Sequence, residues 1–151
     1  MNVDALQFDL TAADGYRLAA SRYPAVGSPK GRLIVAGATA VPQGFYRRFA
    51  LFAASRGFEV LTFDYRGIGG SRPDSLKDFR MDLLDWARLD LAAAVEAMAD
   101  NSLPLYIVGH SYGGHAFGLL PNHARVTGFY TLGTGAGWHG ICPSANVCAF
   151  R

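Results

Sequence analysis

The stretch Leu105-Tyr106-Ile107-Val108-Gly109-His110-Ser111-Tyr112-Gly113-Gly114 decides the fold. Its first four residues are apolar, which is typical of a strand buried on both faces of a sheet. The next five match Gly-x-Ser-x-Gly, the turn that holds a nucleophilic serine between a strand and a helix. This turn is sharp and strained, and it needs glycines at 109 and 113 because neighbouring backbone passes too close for a Cβ atom. The sequence therefore predicts Ser111 at the carboxyl end of a central strand; the alternative is a glycine-rich turn with a solvated serine.

Apolar runs typical of buried strands alternate with stripes at helical spacing along the rest of the chain. An N-terminal hairpin is expected first, with strands near 6–10 and 16–23 around the turn Ala13-Asp14-Gly15. The other predicted strands are 33–36, 58–63, 105–108 and 126–132, and the predicted helices are 42–56, 78–100 (one long helix or two joined ones) and 112–120. We therefore expect one α/β domain, with a mainly parallel sheet, flanking helices, right-handed crossovers and an N-terminal β-hairpin.

Composition argues against several classes of protein. The 151 residues are 50% hydrophobic and 17% charged, which is typical of a globular chain. A net charge of +2, with scattered Lys and Arg, argues against nucleic acid or an anionic membrane as a partner. No apolar run reaches the roughly 18–20 residues that span a bilayer, and no secretory signal opens the chain. Two cysteines, Cys142 and Cys148, form no disulfide framework, so we expect a cytoplasmic protein.

Two more segments favour acyl-transfer chemistry. The first predicted parallel strand ends in Ala36-Gly37-Ala38-Thr39-Ala40, whose small residues let a carbonyl group approach the backbone. Its N–H groups, with Ala38 preferred and Thr39 next, could donate to a developing oxyanion; an ordinary small-residue loop is the alternative. The N–H of Tyr112, at the start of the predicted helix, is the expected other donor, helped by the helix dipole.

Three parts now stand in a specific order: the turn at 36–40, then Asp64-Tyr65-Arg66-Gly67-Ile68-Gly69-Gly70-Ser71, then 109–114. With them the chain resembles the N-terminal portion of an α/β-hydrolase fold protein over residues 5–135, and is similar to bacterial serine hydrolases of lipase, esterase and serine-aminopeptidase type. The resemblance implies Ser111 as nucleophile, Tyr112 and Ala38 as oxyanion donors, and a small-molecule acyl substrate. One departure is that Ala36-Gly37 replaces the usual His-Gly.

The triad acid and histidine of this family follow the serine, on loops after later strands. Here all 12 acidic residues lie at or before Asp100. His115 and His123 are expected to pack or face solvent, His110 to lie inside the turn without reaching around to Ser111, and His139 is the only conceivable base.

The chain is therefore expected to be a truncated α/β-hydrolase fold that ends after about the sixth strand. Residues 1–140 form the partial domain and 141–151 an atypical tail. We hypothesise that the chain is a truncated or frame-shifted product of a longer gene. The last strand, with Phe129 and Tyr130, would then be an unprotected sheet edge, and we expect self-association there.

Two functions remain open. The first is a serine hydrolase acting on an ester, amide or related acyl bond through a Ser111 acyl-enzyme, inactive or crippled in this form. The second is a non-catalytic α/β-hydrolase-like domain for binding or assembly, or a decayed remnant. We expect no cofactor and no metal. The dinucleotide-like run at 135–140 lacks a following helix and an acidic residue, and His139, Cys142 and Cys148 fit no zinc pattern.

Overall fold

The computed structural model describes residues 5–100 and 102–135, and these build one six-stranded sheet with helices on both faces. The strands are β1 (Leu6–Thr11), β2 (Arg17–Tyr23), β3 (Gly31–Ala36), β4 (Phe58–Phe63), β5 (Leu105–His110) and β6 (Gly128–Leu132). The helices are α1 (Arg47–Ser55), α2 (Leu83–Asp85), α3 (Ala92–Met98) and α4 (Tyr112–Ala116). A π-helical segment, Trp86–Leu91, joins α2 to α3, and short 3-10 turns cover Gln43–Tyr46, Gly69–Ser71, Phe117–Leu119 and His123–Arg125.

The order of strands across the sheet is β1-β2-β4-β3-β5-β6. β1 and β2 form an antiparallel hairpin, and β2 also lies antiparallel to β4. The pairs β3–β4, β3–β5 and β5–β6 are parallel. The predicted mainly parallel sheet with an N-terminal hairpin is confirmed. Since parallel strands end at one edge of a sheet, the ends of β3 and β5 lie side by side, and the candidate site forms there.

Each face of the sheet carries its own apolar cluster. Successive side chains of a strand point to opposite faces. Ile34 accordingly packs in the cluster that includes Leu91 and Val95 from the long helical region, whereas Leu33 and Val35 pack in the cluster on the α1 side. β3 is buried on both faces, as its continuous apolar run predicts.

The helix expected at 42–56 begins as a 3-10 turn and is α-helical over Arg47–Ser55. In the sequence the helix is indicated by phenylalanines at helical spacing, at positions 45, 49 and 52, but these residues do not form its buried side. Phe45 and Phe52 are 71% and 62% exposed, whereas Ala50 and Ala54 are fully buried. Alanine lets the helix approach the sheet closely, so the small residues face the core and the aromatic residues face outwards.

Two other helix boundaries differ from expectation. The helical region expected from residue 78 begins at Leu83, after a capping box formed by Asp82 and Asp85, because residue 78 has a φ of +68° that no right-handed helix accommodates. The helix expected at 112–120 is α-helical only over Tyr112–Ala116 and continues as the 3-10 turn Phe117–Leu119. Among the described helices, none is long and apolar enough to cross a bilayer. The tail at 141–151 lies outside the described residues.

Candidate active site

Ser111 lies on the turn between β5 and α4 with a φ of +51° and a ψ of −111°. A positive φ is strained for a residue with a Cβ atom, and strain of this kind concentrates at functional positions. Hydrogen bonds hold the turn in place: the Ser111 N–H donates to the Leu132 carbonyl at 2.8 Å, and the Gly114 N–H donates to the Ser111 carbonyl at 3.0 Å. The side chain is partly exposed at the carboxyl end of a central strand, as the sequence predicts.

Glycines allow this turn to sit against the neighbouring strand. Ala36 of β3 lies opposite Gly109 of β5 in the parallel register. A Cβ atom on Gly113 would lie far inside 3.0 Å of the Ala36 carbonyl oxygen, and one on Gly109 would lie 2.6 Å from the Gly113 carbonyl oxygen. The reason proposed from the sequence for glycines at 109 and 113 is confirmed.

Tyr112 is the first residue of α4, so its N–H is among those that have no acceptor within the helix. Its side chain points away from the turn into the protein. The hydroxyl donates to the Leu83 carbonyl, and the ring packs edge-on against Tyr65 and Trp86. Burial, aided by the charge of Asp90, raises the pKa of this phenol to about 12. The side chain therefore fixes the start of α4, and the backbone N–H remains the candidate oxyanion donor.

The N–H of Ala38, the other predicted donor, already has an acceptor. It donates to the hydroxyl oxygen of Tyr46 at 2.8 Å, in a buried position. Thr39, the alternative donor, is exposed, and its N–H takes part in no hydrogen bond among the described residues. The loop is shaped by Ala40, whose φ is +60°. The geometry thus places the turn 36–40 beside Ser111, with one of its two candidate N–H groups engaged.

His110 faces the α1 side of the sheet. Its Nδ1 atom lies 3.0 Å from the Tyr46 hydroxyl, and its ring is stacked on Phe45 and edge-on to Tyr46. Its engagement with these two aromatic residues agrees with the expectation that it does not serve Ser111 as a base.

The model of the alpha/beta hydrolase family matches residues 33–146, most of the chain. This chain belongs to the α/β-hydrolase family. No curated protein matches it. Among solved structures, this α/β-hydrolase chain is similar to a highly thermostable carboxyl esterase from Bacillus coagulans (20% identity, TM-score 0.74) and an esterase from Pyrococcus furiosus (19%, 0.67). It is also similar to an epoxide hydrolase from Vigna radiata (15%, 0.65).

The three similarities cover 89%, 83% and 84% of this chain but only 46%, 50% and 39% of those proteins. The chain thus spans about half the length of the α/β-hydrolases that it resembles, and it corresponds to their N-terminal portion. At these identities the likeness shows the fold alone, and the differing chemistry of an esterase and an epoxide hydrolase illustrates why.

The described part of this α/β-hydrolase chain brings no complete triad together. Its only histidines after Ser111 are His115, which is exposed, and His123, whose Nδ1 lies 3.0 Å from the Leu120 carbonyl oxygen. In residues 5–100 and 102–135 no histidine forms a hydrogen bond or ion pair with a carboxylate. No group of three His, Cys, Asp or Glu residues in this part of the chain could hold a metal ion. His139, Cys142 and Cys148 lie outside the described residues.

The segment 64–71 that follows β4 was singled out in the sequence for its resemblance alone, and the structure shows which hydrogen bonds its side chains make. Asp64 is buried, and its carboxylate accepts hydrogen bonds from the N–H groups of Gln43 at 2.6 Å and Gly70 at 2.9 Å. Ser71 donates to the Asp64 carbonyl at 2.6 Å and accepts from Ala19 of β2 at 2.8 Å. These bonds tie the loop after β4 to the hairpin and to the turn that precedes α1.

Arg66, in the same segment, forms the central ion-pair network of the α/β-hydrolase chain. Its guanidinium donates to Asp90 at 2.8 Å and to Asp14 at 2.7 Å, and Asp90 is completely buried. The hydrogen bond from Arg66 lowers the pKa of Asp14, whereas burial raises the pKa of Asp90 despite the same arginine. Trp86, which packs on Tyr112, donates to the Arg66 carbonyl at 3.0 Å. The network therefore connects the hairpin, the loop after β4 and the π-helical segment Trp86–Leu91, which packs against Tyr112 beside the Ser111 turn at 109–114, hereafter the elbow.

Proposed function

We propose that this chain is the nucleophile-bearing portion of a serine hydrolase that cleaves an ester, amide or related acyl bond of a small molecule. The observation that supports this most directly is the strained conformation of Ser111 at the end of β5, with glycines packed against backbone on either side. The Ser111 Oγ attacks the acyl carbon, its proton passes to a base, and the leaving group departs to give an ester of Ser111. Water then hydrolyses that ester and regenerates the hydroxyl.

The rate of this reaction in the chain by itself is expected to be very low. The described residues supply the nucleophile and candidate oxyanion donors, but no oriented imidazole. In an enzyme of this kind the loss of the triad histidine lowers turnover by roughly a millionfold. We therefore propose a crippled hydrolase in this form, whose Ser111 still reacts slowly with strong electrophiles; complete inactivity would agree with the second candidate function below. Its cytoplasmic location stays a prediction of the sequence.

A fluorophosphonate probe tests the nucleophile. We expect slow, stoichiometric labelling of the folded protein, read by intact-protein mass spectrometry after long incubation at high probe concentration. Ser111→Ala is expected to abolish the labelling. The control variant is Ser55→Ala, which removes an exposed serine at the end of α1 and should label like the natural chain. Labelling that survives in Ser111→Ala, or no labelling of the folded protein, contradicts the proposal.

A second candidate function is a non-catalytic α/β-hydrolase-like domain for binding or assembly, or a decayed remnant. The contacts of the described histidines favour it, because in residues 5–100 and 102–135 none of them forms the hydrogen bond to a carboxylate that orients a catalytic imidazole. Absence of labelling in a protein that melts cooperatively would support this second function, and Ser111-dependent labelling would exclude it.

We further propose that the edge of β6 recruits a second copy of the chain. In the described sheet β6 pairs with β5 alone, and Tyr130 and Leu132 on it are 64% and 46% exposed. An exposed apolar edge strand offers unpaired N–H and carbonyl groups to another chain.

Tyr130→Lys should weaken this association, because a charged side chain on an edge strand disfavours pairing. We expect the natural chain to show a molar mass by light scattering that rises with concentration, and the variant to shift towards the monomer. Leu6→Lys, on the opposite edge strand and also exposed, is the matched control and should leave the association unchanged. A natural chain that is monomeric at all concentrations, or an equal effect of both variants, contradicts this interface.

A further inference from the structure

The two N–H groups expected to stabilise an oxyanion share no acceptor in the structure. An oxyanion hole works when its donors lie about 2.7–3.1 Å from one point, the position of the developing negative charge. At Ala38 a protein atom already occupies the acceptor position. The Tyr46 hydroxyl oxygen lies 2.8 Å from the Ala38 backbone nitrogen. Tyr112, the other expected donor, makes no hydrogen bond to this hydroxyl.

Tyr46 is held firmly in this position. The residue is 8% exposed, and its ring lies against Gly37, where an added Cβ atom would come within 3.1 Å of the ring. Its hydroxyl also lies 3.0 Å from Nδ1 of His110, the residue before Ser111. One hydroxyl group therefore contacts both the turn 36–40 and the last residue of β5, which immediately precedes the nucleophile.

A backbone N–H has a single proton and makes one good hydrogen bond. While the Ala38 N–H donates to Tyr46, it cannot also donate to a substrate oxygen. We propose that the Tyr46 hydroxyl competes with the acyl oxygen for the Ala38 N–H and withholds this donor until the hydroxyl moves away. Tyr46 is in this sense an autoinhibitory contact next to Ser111. The inference rests on the proposed function, since competition presupposes that Ser111 reacts.

Removal of the hydroxyl should release the donor. In Tyr46→Phe the Ala38 N–H has lost its acceptor and can bind the oxygen of an electrophile at Ser111. We expect labelling of Ser111 by a fluorophosphonate to become about tenfold faster, the effect of one ordinary hydrogen bond on a rate. Tyr23→Phe is the matched control. Tyr23 is a buried tyrosine of the same apolar cluster but lies opposite Val60, near the start of β4 and far from the ends of β3 and β5.

Amide hydrogen exchange tests the Ala38–Tyr46 hydrogen bond independently of any reaction at Ser111, and its first measurement uses the natural chain. In the natural chain the Ala38 amide should exchange at least tenfold more slowly than that of its neighbour Thr39, as measured by NMR. In a folded Tyr46→Phe protein this difference should disappear. An Ala38 amide that exchanges as fast as Thr39 in the natural chain overturns the inference even when Tyr46→Phe fails to fold.

The labelling outcomes separate this inference from the proposed function. Faster labelling of Tyr46→Phe than of both the natural chain and Tyr23→Phe supports competition. Equal labelling overturns it and leaves Thr39 as the donor, and slower labelling overturns it because the hydroxyl then assists the reaction. If Ser111 is labelled in neither protein, it is the proposed function that fails, and the competition fails with it.

Discussion

Gly113→Ala is expected to destabilise the native structure strongly. The added Cβ atom would lie far inside 3.0 Å of the Ala36 carbonyl oxygen and 2.9 Å from the Ala36 side chain. Both belong to Ala36, a fully buried residue of the central strand β3, so neither can move aside without breaking the parallel register with β5. Overpacking by a methyl group in a core costs about 1–3 kcal/mol when the neighbours are side chains. Here the main neighbour is backbone, and we expect a loss at or above the upper end of that range.

Urea denaturation followed by circular dichroism measures this loss. The matched control is Gly118→Ala, because Gly118 is exposed in the turn after α4 and no atom lies within 4 Å of an added Cβ. That variant should be neutral or more stable by up to about 1 kcal/mol, since alanine restricts the unfolded chain. If Gly113→Ala unfolds at the same urea concentration as Gly118→Ala, the packing of the elbow against β3 is wrong.

The glycines of the elbow also show what a sequence can predict. Local patterns predicted every strand of the described sheet. Alternation of apolar and polar residues around a turn indicated the hairpin, and short apolar runs such as 33–36 and 58–63 indicated strands buried between two layers of helices. The Ser111 turn was predicted in the same way, since Gly109 and Gly113 encode a close backbone approach that no other residue permits. Structural features that depend on residues close together in the chain could therefore be predicted from the sequence.

Structural features that depend on residues far apart in the chain could not be predicted from the sequence. The spacing of Phe45, Phe49 and Phe52 correctly indicated a helix, but the buried face is set by how closely α1 approaches β4, and alanines at 50, 53 and 54 permit the closer approach. Similarly, nothing in the run 36–40 indicates that the Ala38 N–H is already bound, because its acceptor belongs to Tyr46 in a different turn. A polar contact of this kind depends on the tertiary fold and has no local signal.

The ion pairs of Arg66 also could not be predicted from local sequence, because its partners Asp14 and Asp90 are 52 and 24 residues away in the sequence. Arg66→Met is expected to destabilise the protein by about 3–5 kcal/mol, since it leaves the charge of the buried Asp90 without its cation. Arg125→Met is the matched control: Arg125 and its partner Glu96 are 42% and 55% exposed, and loss of such a surface pair costs at most about 1 kcal/mol. Urea denaturation at neutral pH compares the two.

The effect of Arg66→Met should depend on pH in a defined direction. Burial raises the pKa of Asp90, and removal of the arginine should raise it further. A carboxyl group whose pKa is higher in the folded than in the unfolded state stabilises the fold below its unfolded pKa, and that stabilisation is lost as pH rises through the folded value. The pKa of Asp14 is lowered by Arg66, so in the natural chain this residue adds stability that is lost as the solution becomes acidic. Both effects make the difference between the two proteins largest near neutral pH and smaller towards pH 4.

A double variant distinguishes an unpaired buried charge from a simple loss of packing around Arg66. Arg66→Met with Asp90→Leu removes both charges, and we expect it to recover most of the stability lost in Arg66→Met, because replacing a buried ion pair by apolar groups is often close to neutral. Its stability should also vary less with pH than that of the single variant. If the double variant is as unstable as Arg66→Met at neutral pH, the arginine acts through its packing against Tyr16, whose ring centroid lies 4.9 Å from the guanidinium carbon, and not through the charge of Asp90. Recovery would instead show that the stability lost in Arg66→Met comes from the unpaired charge of the buried Asp90.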